Sequence, residues 1–84
     1  MSDKNDKEAR GAILRSFYEA YMQHGLHVIV MMPEVAGELK LDEPQARRCF
    51  DYLRAKGFIK LMTRGGGYCP TVALVDEMEE EGAP

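Results

Sequence analysis

Residues 33–60 read PEVAGELKLDEPQARRCFDYLRAKGFIK, and the punctuation of this stretch divides it into two helices joined by a tight turn. Pro33 suits the first turn of a helix, where its missing N–H is one the helix would leave unbonded anyway. PEVAGELK then sets Val35, Ala36 and Leu39 on one inward face. After Leu41 the run DEPQ opens a second helix. Asp42 is a good cap, Pro44 is tolerated in the first turn, and Gln45 stands where a capping box closes. This helix buries Ala46, Phe50 and Leu53 at i, i+4 and i+7 and stops at Gly57.

Toward the C-terminus, FIKLMT and YCPT flank RGGG, residues 64–67. Two β-favouring runs around glycines that accept positive φ predict a hairpin. Thr71 can cap a last helix, VALVDEMEE, with Val72, Val75 and Met78 as a narrow apolar seam. Toward the N-terminus, HVIVMM (27–32) reads as a short strand. Before it, a helix is predicted from an Asp6 cap to His24, ended by Gly25. Ile13, Phe17 and Tyr21 give that helix one buried stripe, and Leu14, Tyr18 and Met22 give it a second. The second stripe either meets a neighbouring element or forms a dimer surface.

Eighty-four residues make one domain with a modest core. The expected organisation is a folded unit over 7–80, with disordered ends at 1–6 and 81–84. Apolar residues at 45% and charged residues at 30% fit a globular chain. No apolar run is long enough for a membrane span, and MSDKNDKEAR has no signal-peptide h-region, so a cytoplasmic protein is expected. Cys49 and Cys69 lack metal or redox spacing and read as reduced packing residues. His24 and His27 show no further ligands at a recognised spacing, so neither a metal nor a cofactor is expected. With no nucleophile beside a base and no acid pair in an apolar setting, an enzyme is not expected either.

The net charge of −3 conceals a pattern. Residues 42–64 carry Arg47, Arg48, Arg54, Lys56, Lys60 and Arg64 against Asp42, Glu43 and Asp51, whereas every charge after residue 64 is acidic. Such asymmetry says more about partners than the total does.

The two helices of 33–60 form a helix-turn-helix, and a hairpin after the second helix corresponds to what is called a wing. The order helix, strand, helix, helix, hairpin, helix resembles the winged helix-turn-helix domain of bacterial transcription regulators. The resemblance covers about residues 7–80 and includes the closing signature Leu53, Lys56, Gly57, Phe58 and Ile59. It implies an α+β, mostly α fold: a three-helix core with a short strand, a β-hairpin wing and a C-terminal helix. It also implies double-stranded DNA as partner. Base-edge contacts then map onto Glu43, Pro44, Gln45, Arg47 and Arg48, with Gln45 suited to adenine and the arginines to guanine. The wing maps onto residues 60–68, with Lys60 and Arg64 toward phosphate or the minor groove and a flexible tip following the groove. Glu43 and Asp51 would repel phosphates, and one subunit makes few contacts. The expected regulator is therefore a homodimer using Leu14, Tyr18, Met22, Val72, Val75 and Met78. The competing expectation is a winged-helix module that binds protein instead.

Overall fold

The computed structural model describes residues 5–81; the remaining residues of the two predicted disordered ends, 1–4 and 82–84, lie outside that range. The chain folds as α1 (Asp6–His24), β1 (Val30–Met31), α2 (Met32–Leu39), α3 (Glu43–Ala55), β2 (Ile59–Thr63), β3 (Gly67–Pro70) and α4 (Val72–Glu81). This is an α+β architecture, mostly helical, with a three-stranded antiparallel sheet in the order β1-β3-β2.

Helix α1 starts one residue earlier than an Asp6 cap implies. Asn5 is the cap: its side chain accepts the Glu8 N–H at 2.8 Å, and the Glu8 carboxylate accepts the Asn5 N–H in return. This reciprocal box satisfies two helix-start donors and leaves Asp6 in the first turn, free to reach sideways. At the other end Gly25 adopts φ +85° and donates to the Tyr21 carbonyl.

Strand β1 is shorter than the predicted 27–32. Val30 pairs with Tyr68 and Met31 with Gly67. Continued upstream, the register would bring Val28 opposite Pro70, which has no N–H to give. Downstream, the Met32 N–H bonds the Gly66 carbonyl at 2.8 Å, and the chain turns at once into α2.

The ends of α2 and α3 share one geometry. Leu41 N–H reaches back to Ala36 O and Lys40 N–H to Gly37 O; Phe58 N–H reaches Leu53 O and Gly57 N–H reaches Arg54 O. Both are the paired bonds of a Schellman closure, with an apolar residue folded over the end of each helix. Gly57 takes φ +87°, as expected, but Lys40 takes φ +59°, a left-handed conformation costly for a side chain with a Cβ. Burial of Leu41 at 8% exposure holds the Lys40 turn in place.

Asp42 caps α3 by accepting the Gln45 N–H at 2.9 Å. Phe17, Phe50 and Tyr68 build the centre of the core, with ring centroids 5.7 Å apart for the first pair and 5.0 Å for the second. Around them pack Ile13, Val35, Leu53, Ile59 and Leu74. Helix α4 is capped by Thr71, whose Oγ1 accepts the Leu74 N–H. That start phases the helix so that Leu74 and Val75 turn inward, while Val72 of the expected seam remains 59% exposed.

Candidate nucleic-acid interface

The interface expected from sequence lies on α3 and the β2–β3 hairpin. Along α3 the buried side consists of Gln45, Ala46, Cys49, Phe50 and Leu53. The opposite side presents Glu43, Pro44, Arg47, Asp51 and Arg54 to solvent. Arg47 and Glu43 are four residues apart, and their side chains form an exposed ion pair at 3.6 Å. Exposed pairs of this spacing contribute only about 0.3–0.5 kcal/mol, so Arg47 can exchange its partner at little cost.

Two of the expected base-reading residues are committed elsewhere. Gln45 is 4% exposed, and its Nε2 donates to Asp6 Oδ1 at 3.2 Å. It is a buried link between helices and has no edge to offer a base. Arg48 is more exposed, but it forks onto the same carboxylate: Nε to Oδ2 and Nη2 to Oδ1, both at 3.0 Å. Its hydrogen bonds are the main reason the Asp6 carboxyl is held below its ordinary value, and Asp6 in turn raises the Arg48 pKa. One residue along α3, the Cys49 Sγ contacts the Asp6 backbone carbonyl at 3.8 Å, and burial pushes its thiol pKa up. Arg10 lies 4.1 Å above the Tyr52 ring on the same side. Sequence reasoning missed Asp6 as a partner because its local role as a cap candidate accounted for it, and nothing in the chain marks a contact 42 residues away.

The hairpin holds its charge differently. Lys60 and Arg64 are exposed, and among the described residues neither forms an ion pair. Around the expected flexible tip, the flanking residues are hydrogen-bonded. Thr63 Oγ1 accepts the Gly67 N–H at 3.0 Å, and the Gly66 carbonyl is tied to Met32 at the start of α2. Gly66 sits at φ +93°, and a Cβ on Gly67 would meet Thr63 Oγ1 at 2.7 Å and Ile29 Cγ2 at 2.9 Å. A close backbone approach, as much as turn geometry, accounts for these two glycines.

The six residues expected at a dimer contact divide. Leu14, Tyr18 and Met78 pack half-buried against the core, and Val75 is buried at 8% exposure. The Tyr18 hydroxyl donates to Glu79 of α4 at 3.2 Å, and burial together with that carboxylate raises the phenol pKa. At Tyr18, therefore, the second stripe of α1 meets the chain's own last helix. Met22 and Val72 alone of the six stay exposed, at 65% and 59%.

A groove of about 420 Å³ runs between α1 and the β1–α2 segment, with Glu19, Glu34, Glu38 and His24 among its lining. Among the described residues no three His, Cys, Asp or Glu side chains converge as a metal site, and no helix is long and apolar enough to cross a membrane. Comparison of the chain with family models, curated proteins and solved structures finds no match.

Proposed function

We propose that this chain is a winged helix-turn-helix protein that binds double-stranded DNA as a homodimer and regulates transcription. The observation that carries the reading is the exposed side of α3, turned away from the core, together with exposed cations at the end of α3 and on the hairpin that follows it. Arg54, Lys56, Lys60 and Arg64 are all exposed, and among the described residues none forms an ion pair. In this reading α3 enters the major groove, with Glu43, Pro44 and Arg47 toward base edges, and the hairpin lies over the adjoining backbone. Gln45 acts from behind, fixing α3 against α1. The hairpin is short, and its turn is tied at Gly66 and Gly67, so Arg64 projects from a backbone held on one side. Met22 and Val72 remain available to the dimer contact.

Titration of random-sequence duplex against salt tests this directly. About four phosphate contacts give a slope of log affinity on log salt near −3 to −4 per subunit, roughly doubled in a dimer. Replacing Arg54, Lys60 and Arg64 together by alanine flattens the slope by about 3 per subunit. A native chain with no salt-dependent binding sinks the proposal.

A second reading, a module that binds a basic protein surface, draws support from Glu19, Glu34 and Glu38 along the α1–α2 groove. The same titration separates the two, since that module shows no affinity for duplex.

A further inference from the structure

Resting on the DNA-binding reading, we propose that Asp6 is a built-in competitor for DNA phosphate, holding Arg48 out of the interface until a duplex displaces it. Arg48 points its Nε and Nη2 at Asp6, both at 3.0 Å, in the two-bond fork by which guanidinium groups also grip a phosphate. The carboxylate is itself held in place. Gln45 Nε2 donates to it from the buried side, and its position in the first turn of α1 is one where the helix dipole favours a negative charge. The pair nevertheless lies at the surface, with side-chain exposures of 60% for Arg48 and 37% for Asp6. Water and polyanions can reach it, so exchange of one anion for another needs no unfolding.

The electrostatic consequence follows from the arrangement. With Asp6 in place, Arg48 adds no net charge to the α3 surface, and the carboxylate repels a phosphate approaching the same fork. Arg47 is differently placed, because its partner Glu43 is an exposed neighbour on the same helix at 3.6 Å, and among the described residues no third group holds it. Asp6 therefore sets how many of the α3 arginines count toward nonspecific affinity. It lowers affinity for any duplex and reserves the Arg48 contact for complexes close enough to displace it.

The test uses the full chain, a random-sequence duplex labelled for fluorescence anisotropy, and a salt series. Asp6→Asn keeps an acceptor for Gln45 and removes the charge. It is expected to tighten binding on the order of tenfold at low salt and to steepen the slope by about 1 per subunit, the signature of one more phosphate contact. Arg48→Ala in the native background leaves the Asp6 charge unpaired and weakens binding without flattening the salt slope by a full contact, and Arg48→Ala added to Asp6→Asn cancels the gain of the Asp6 variant. Thermal melting followed by circular dichroism checks that each variant is folded; should Asp6→Asn melt too low to titrate, Asp6→Ser makes the same comparison. If native chain and variant bind duplex with equal slope, or the variant binds more weakly, Asp6 is only a strut or a support for Arg48 and the competitor is overturned. If neither binds duplex at any salt, it is the DNA reading that fails.

Discussion

Two corners of this small protein hold a positive charge at the surface, and they do so by opposite means. At the β2–β3 hairpin, Arg64 is exposed while the backbone beneath it is constrained: Gly66 at φ +93°, Gly67 without room for a Cβ, and the Gly66 carbonyl bonded to Met32. At the α1–α3 corner the backbone is ordinary helix and the side chains do the holding, with Asp6 receiving Arg48 and Gln45 together. Fixing a charge through the chain leaves its head free for a partner. Fixing it through another side chain satisfies the head and reduces what it can offer.

The largest effect should come from breaking the hairpin side. Gly67→Ala puts a methyl 2.7 Å from Thr63 Oγ1 and 2.9 Å from Ile29 Cγ2, closer than a Cβ sits to its neighbours in folded proteins. The Thr63 and Ile29 side chains must give way, and the Thr63–Gly67 bond is strained or lost. We expect a loss of about 1–3 kcal/mol in urea denaturation, in the range of overpacking changes elsewhere. A variant as stable as the native chain would mean that the hairpin is looser than its contacts imply.

The contrast between the corners also explains what could be read in advance. Turn and cap chemistry is local, so Asp42, Gly57, Thr71 and the glycines of 64–67 announced element ends that the fold contains. The buried faces of α2 and α3 followed from helical spacing for the same reason. Lys40 was illegible, because burial of Leu41 rather than any feature of lysine imposes its left-handed turn. The length of β1 depended on where its partner strand meets Pro70. Gln45 has the position of a base reader on α3, and only the arrival of Asp6 from α1 makes it a buried link. Pairings between residues distant in sequence leave no trace in spacing, and the α1–α3 corner is built on them.

A smaller effect, and one that depends on pH, distinguishes the side-chain corner. The folded-state pKa of Asp6 lies below its ordinary 3.8, chiefly through the hydrogen bonds from Arg48. The corner's contribution to stability is therefore complete above the unfolded value and is lost as pH falls through the folded one. Arg48→Ala should lower the melting temperature at pH 7, by less than Gly67→Ala does, and the difference should shrink once the pH drops below about 4. The Gly67→Ala deficit has a steric origin and should persist across that range. A deficit in Arg48→Ala that stays constant from pH 7 to pH 3 would mean that the arginine contributes packing rather than charge.

The smallest effect is expected inside the hairpin itself, where three adjacent glycines look equivalent in sequence and are not. Gly66 uses its positive φ, and Gly67 uses the absence of a Cβ. Gly65 uses neither, since its φ is not positive and nothing lies within 4 Å of a Cβ built on it. Alanine there costs the folded state no contact and removes freedom from the unfolded chain, a change that typically stabilises by about 0.4–1 kcal/mol. Gly65→Ala should thus melt at or slightly above the native temperature and bind duplex with an unchanged salt slope. A clear loss of stability would show that residue 65 visits a left-handed conformation, and that the charge on Arg64 rides on a more mobile tip than its anchors at Gly66 and Gly67 suggest.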